Sequence, residues 1–263
     1  MGVILIKLEV HDLFLSFGGI EALKDISFSV NNKEIFSIIG PNGAGKSSLL
    51  NCINGLYHPQ KGKIIFKQTD ITNWPADKIA KLGIGRTFQN LELFKDMSVL
   101  DNLMLGRHNH LKYGIMPSIV WIGRASKEEI TSRVKVEKII DLLEIQSVRK
   151  KTVGTLPYGL QKRVELGRAL AVDPEIMLLD EPMAGMNEEE REDMARFILD
   201  INEEMNKTII LIEHDMSVVM DISDRIMALD FGEKIADGTP EQIQNNSDVL
   251  NAYIGGKEKG QVA

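Results

Sequence analysis

The stretch IIGPNGAGKSSLL, residues 38–50, decides the fold of this chain. An apolar run with strand character ends at Gly40, and a helical run, KSSLLNCIN, opens at Lys46 with Gly55 as its expected stop. Between them the spacing G-x-x-x-x-G-K-[ST] is satisfied in the strand–loop–helix context that a phosphate-binding loop requires. Gly43 and Gly45 let the backbone bend so that successive N–H groups face an anion, and the helix N-terminus adds partial positive charge. Lys46 can reach β- and γ-phosphate oxygens, and the Ser47 hydroxyl is left for Mg²⁺. The expected nucleotide contacts are therefore Gly40, Pro41, Asn42, Gly43, Ala44, Gly45, Lys46, Ser47 and Ser48.

Further buried strands are expected at IMLLD (176–180), TIILIEH (208–214) and RIMALD (225–230), alternating with helical patterns. That layout is α/β with a mostly parallel sheet. The first 35 residues alternate instead, as in LEVHDLFLSF and DISFSV, which predicts an antiparallel β layer laid on the main sheet. No strand is expected between about Gln89 and Leu156. There SKEEITSRVKVEKIIDLLEI (126–145) carries Ile130, Val134, Ile139, Leu142 and Leu143 at helical spacing, a helical insertion. A polar helix, PEQIQNNSDVLNAYI, is expected after Thr239, followed by a charged, disordered tail. Gly167 inside the helix after Leu156 suggests close backbone packing.

The strand IMLLD runs into two adjacent carboxylates, Asp180 and Glu181, an expensive arrangement without a cation and reacting water beside it. Asp180 is expected to hold Mg²⁺, and Glu181 to polarise the attacking water. A strand that simply finishes in an exposed acidic pair is the plain alternative. His214 closes another strand, where an imidazole can meet the γ-phosphate and hold Glu181 in register. His11, His58, His108 and His110 lack such a setting.

The 263 residues, 43% hydrophobic, can bury a sizeable core without covalent staples, and the single cysteine, Cys52, gives no disulfide framework. A reducing compartment is expected. No stretch approaches the roughly 20 apolar residues of a membrane span, and the N-terminus lacks the features of a signal peptide. The net charge of −7 argues against a broad grip on nucleic acid.

A second glycine-marked helix start, LPYGLQKRVELGRALAVDPEIMLLDEPMAGMN (156–187), resembles the ATP-binding subunits of ABC transporters, and the resemblance covers nearly the whole chain. It implies the P-loop ABC ATPase fold with an antiparallel β subdomain and an inserted helical subdomain. The implied division is a core of 1–88 and 157–240, a helical subdomain of 89–156, and a C-terminal helix and tail of 241–263. In that family the signature Leu-Ser-Gly-Gly-Gln starts a helix that touches the γ-phosphate held by a second subunit. Here Leu156, Pro157, Tyr158, Gly159 and Leu160 stand in its place, so Gly159 can offer only its backbone N–H.

The same resemblance makes Gln89 the hinge glutamine, a metal contact and catalytic aid, and Phe17 the aromatic that stacks on adenine, unless Phe17 is a plain core residue. Asn187, in AGMN, belongs to the loop that crosses to the partner subunit.

The form LPYG, the run GRTFQNLELFKDMSVLDNLMLGRH with the insertion LKYGIMPSIVWIG (111–123), and the phrase ADGTPEQIQNNSDVLNAYIG are similar to the branched-chain amino acid importers of this superfamily. The resemblance implies hydrolysis of MgATP in a two-subunit sandwich, with a second identical or homologous ATPase. It further implies integral-membrane permease partners, an indirect solute-binding protein, and a place at the cytoplasmic face of the inner membrane. The insertion then either meets the permease or packs locally. An export ATPase of the lipopolysaccharide type, a non-transport ABC ATPase of chromosome maintenance or ribosomes, and a small P-loop kinase are the competing readings.

Overall fold

The computed structural model describes residues 5–87, 93–107 and 124–259, with the side chains of 124–128 and 254–259 left aside. In chain order the N-terminal elements are β1 (Ile6–Phe17), β2 (Ile20–Asn31), β3 (Ile35–Ile39), α1 (Lys46–Ile53), β4 (Lys61–Phe66), β5 (Thr69–Asp70), α2 (Ala76–Leu82) and β6 (Ile84–Arg86). Then come α3 (Val99–Gly106), α4 (Arg124–Leu142), α5 (Tyr158–Ala171), β7 (Ile176–Asp180), α6 (Glu188–Met205), β8 (Thr208–Ile212), α7 (Met216–Ile222), β9 (Arg225–Asp230), β10 (Glu233–Gly238), α8 (Pro240–Gln244) and α9 (Ser247–Lys259).

The main sheet has the order β10-β9-β3-β8-β7-β6, parallel throughout except for the β10 edge. β3, β7 and β8 are each five residues long and buried at every position, which is why their sequences are apolar apart from Ser37, Asp180 and Thr208. The period of two sorts their side chains between two cores. Ile176, Leu178, Ile210, Ile212, Phe36 and Ile38 face a cluster shared with α1 and the β layer, while Met177, Leu179, Ile209 and Leu211 face the helices on the opposite side.

The β layer is antiparallel, as its alternating sequence predicts, but it recruits β4 and β5 as well as the first two strands, in the order β2-β1-β4-β5. Glu175, at the foot of β7, ties it down with salt bridges to Lys7 and Lys67, each 2.5 Å.

Among the described residues from 93 to 156 no strand forms, only α3, α4 and two 3-10 turns at 146–148 and 153–155. The face of α4 differs from the sequence expectation. Ser132, Val136, Ile139, Ile140 and Leu143 are buried, whereas Ile130 and Val134 are 60% and 52% exposed. At about 100° per residue Val134 points roughly 160° away from Val136, so the apolar residues grouped in one stripe belong to two. The buried stripe meets Gly167 of α5, where an added Cβ would lie 2.9 Å from Leu143 Cδ1 and 3.4 Å from both Ile139 Cγ2 and Leu103 Cδ2, the close packing its glycine suggested.

The expected single C-terminal helix is two helices. The side chain of Asn246 accepts from the N–H groups of Asp248 and Val249, capping α9 and ending the continuity with α8. Helix α9 continues to Lys259, through residues expected to be tail.

Candidate functional site

The phosphate loop lies between the end of β3 and the start of α1, at the middle of the parallel sheet. Its backbone shape needs glycine. Gly45, the N-cap of α1, has φ 102°, and a Cβ there would fall 2.5 Å from the Ala22 carbonyl oxygen of β2. At Gly40 a Cβ would fall 2.1 Å from the Leu229 carbonyl oxygen of β9. Gly43, by contrast, has φ 84° and open space where its side chain would be, so there the backbone conformation alone calls for glycine.

Lys46 is buried, and its amine donates to the carbonyl oxygens of Gly40 at 2.8 Å and Pro41 at 3.0 Å. Burial lowers its pKa, opposed by the charges of Glu181 and Asp180. Two backbone carbonyls are weak compensation for a buried ammonium, and a polyanion fits the deficit. Ser47 Oγ lies 3.5 Å from Asp180 Oδ1, two hard oxygen donors side by side at the loop's edge, a donor set suited to Mg²⁺ bound together with phosphate oxygens and water. The other Asp180 oxygen takes a 2.8 Å salt bridge from the buried guanidinium of Arg86, which also donates to Asn51 of α1.

The pairing of β7 with β8 sets Asp180 opposite Ile212, and this register delivers the next residues to one another. Glu181 adopts φ 51°, its N–H donates to the Ile212 carbonyl at 2.9 Å, and its Oε1 lies 2.7 Å from His214 Nε2. An ionised carboxylate only accepts, so the contact puts a proton on Nε2. A left-handed backbone at a non-glycine residue is a cost concentrated at the position where the side chain is aimed. Glu213, between them in sequence, is buried and accepts from the N–H groups of Met183 at 2.8 Å and His214 at 3.1 Å. Burial raises its pKa, the two N–H donors pull it down, and the nearby Glu181 raises it further.

Phe17, at the end of β1, is 46% exposed and makes a T-shaped pair with Tyr57, ring centroids 5.1 Å apart, so it is no core residue. Gly159 and Asn187 form a separate group. Asn187 caps α6 in a capping box with Glu190, and the Glu190 carboxylate lies where a Cβ on Gly159 would be, 2.1 Å away. Helix α5 has Pro157 at its N-cap and no side chain capping it, as holds also for α1 at the phosphate loop and for α2, whereas α3, α6, α7 and α8 are each capped by a side chain.

Gln89 and the insertion 111–123 lie outside the described residues. Arg86, Glu213 and Tyr253, whose phenol takes the Gly40 N–H, are neighbours of these residues that the sequence patterns did not single out, and Tyr158, marked there only as a departure from the signature, donates its hydroxyl to the Ala184 carbonyl. An arginine three residues before Gln89 was the one available signal among them.

The chain is similar to known proteins over most of its length. The ABC transporter family profile matches residues 23–184, and that of the branched-chain amino acid ATP-binding cassette transporters matches residues 233–259. The chain is 40% identical over 248 residues to the high-affinity branched-chain amino acid transport ATP-binding protein BraF of Pseudomonas aeruginosa, covering 94% of this chain and 97% of the relative. The solved ADP conformation of MJ1267, an ATP-binding cassette of an ABC transporter, superimposes with a TM-score of 0.82 at 31% identity, covering 95% of this chain and 99% of that one. A dimeric post-hydrolysis structure of the cassette MJ0796, bound to ADP and Pi, gives 0.71 at 26% identity over 89% and 98%.

Proposed function

The chain belongs to the ABC transporter ATP-binding family, and from that membership we propose that it is the ATP-hydrolysing subunit of an importer for branched-chain amino acids. The observation that carries the reading is the placement of Glu181 against His214, one residue beyond Asp180, at the same edge of the sheet as an open phosphate loop. In this reading the loop N–H groups of residues 43–48 and Lys46 bind the triphosphate, Phe17 stacks on the base, and Ser47 and Asp180, with Gln89, hold Mg²⁺. The metal, when bound, neutralises phosphate charge. Glu181 orients and deprotonates the attacking water, and His214 holds that carboxylate. Arg86 holds Asp180 in place through its salt bridge.

Gly159 and the uncapped start of α5 serve the nucleotide of a second cassette, whose own signature helix completes this site, while Asn187 shapes the crossing loop. Segment 89–156 is the helical subdomain between core segments 1–88 and 157–240, with 241–263 as the C-terminal part; the absence of strands among the described residues of 93–156 supports that division. No helix among the described residues is long and apolar enough to cross a membrane, so a permease supplies the path, with this subunit at the cytoplasmic face of the cell membrane and a solute-binding protein acting at a distance. Co-expression with its permease and partner cassette in proteoliposomes tests the proposal: leucine uptake should require internal MgATP, and uptake unchanged by Lys46→Ala in this subunit would contradict it.

A further inference from the structure

Gly40 begins the phosphate loop, and its N–H donates to the phenol oxygen of Tyr253 on α9, 2.9 Å away, across 213 residues of sequence. The contact is built into a core. Tyr253 packs against a buried cluster of Ile39, Val219, Ile226, Ala228, Ile243 and Val249, flanked by Met216 and Met220 of α7, the helix that follows His214. Gly40 itself is buried with φ 148°, pressed on its other side against the Leu229 carbonyl. Burial pushes the Tyr253 phenol up, with the Gly40 hydrogen bond working the other way, so it stays a neutral hydroxyl and an unchanging acceptor at physiological pH. The residue lies within the stretch 233–259 matched to the branched-chain cassettes.

We infer that Tyr253 is a positioning residue for nucleotide binding: through its phenol oxygen, α9 holds the entry of the phosphate loop in the backbone geometry that accepts a triphosphate. The inference rests on the reading of residues 40–48 as the ATP site. Without the phenol oxygen the buried Gly40 N–H has lost its acceptor, and the loop turns toward other acceptors and other conformations. Only the fraction of molecules with the competent loop then binds, which raises the apparent dissociation constant by the inverse of that fraction. Turnover of bound ATP, which depends on Glu181 and His214, is left nearly alone.

The test is Tyr253→Phe in the full chain, with Met220→Ala as a packing control from the same cluster. Three readouts apply: the dissociation constant for MgATP, the split of KM against kcat, and hydrogen exchange of the Gly40 amide without nucleotide. Tyr253→Phe should raise the dissociation constant and KM about fivefold, leave kcat within about twofold, and speed Gly40 exchange about tenfold while Ile38 stays protected. Met220→Ala should lower the melting temperature without moving the dissociation constant. Unchanged affinity and exchange in Tyr253→Phe would overturn the inference, as would an equal loss of affinity in Met220→Ala, which would assign the effect to packing. A wild-type protein that binds no ATP would instead overturn the functional reading itself.

Discussion

The hydroxyl of Tyr158 donates to the carbonyl oxygen of Ala184 at 3.1 Å, and its ring covers Gly185, where a Cβ would come within 3.2 Å of the ring. The tyrosine thus turns its hydroxyl back to its own chain and ties the start of α5 to the loop that leads into α6. At the position of the first glycine of the family signature, one residue after Pro157, which takes the place of its serine, this chain has a strut between two segments proposed to meet the partner.

Tyr158→Phe keeps the ring and removes the strut. ATP affinity at the chain's own loop should be unchanged, because the hydrogen bonds of Lys46 go to the loop's own Gly40 and Pro41 carbonyls. kcat should fall about threefold, as the two partner-facing segments lose their common position. Steady-state ATPase kinetics beside a nucleotide titration checks both halves, and a weakened affinity with normal kcat would refute the separation.

Gly159→Ala tests the packing beneath the same helix start. The new Cβ would land 2.1 Å from Glu190 Oε1, the far end of a flexible side chain, so the carboxylate moves rather than the backbone. What is lost is the reciprocal half of the α6 capping box, about 1 kcal/mol. Urea unfolding should show that decrement, and Glu190→Ala should abolish the further effect of Gly159→Ala in a double-mutant cycle.

Asp173 makes stability depend on acid. It accepts from Lys135 of α4 and from Lys207, each at 2.8 Å, with Arg107 at 3.8 Å, and so fastens helices α3 and α4 to the parallel sheet. Burial, the largest single influence, pushes its pKa up, but the two lysine hydrogen bonds and charges together outweigh it and hold the carboxyl far below the usual range. A depressed folded-state pKa stabilises above the unfolded value, near about 3.9, and that stability is lost as pH falls from there toward the folded value. Asp173→Asn should therefore cost about 1 kcal/mol at neutral pH, a modest figure because the side chain is 36% exposed. The gap from wild type should narrow below about pH 4 in thermal melts.

What the sequence discloses about this molecule is whatever is local. The phosphate loop, the strand-end carboxylates and the buried five-residue strands are written in contiguous residues, and each is found where its pattern puts it. The supports of the site are not local: Arg86 reaches Asp180 across 94 residues and Tyr253 reaches Gly40 across 213. No periodicity marks such residues, since their partners are chosen by tertiary contact. The α4 face was misjudged because Ile130 and Val134 fit a helical stripe as well as Val136 and Ile140 do, and only the position of α5 selects between them. The break between α8 and α9 hangs on one asparagine side chain, a signal too small to separate from the polar run around it.

The central claim is that Glu181, held by His214, activates water at a nucleotide site completed by a second cassette. Glu181→Gln keeps the size of the side chain and one acceptor oxygen but removes the base. The variant, with its partner cassette and MgATP, should bind ATP with near-normal affinity, lose at least about 100-fold in phosphate release, and sediment as a stable two-cassette complex. Phosphate release near the wild-type rate, from a species that sediments as a single cassette throughout, would contradict the account.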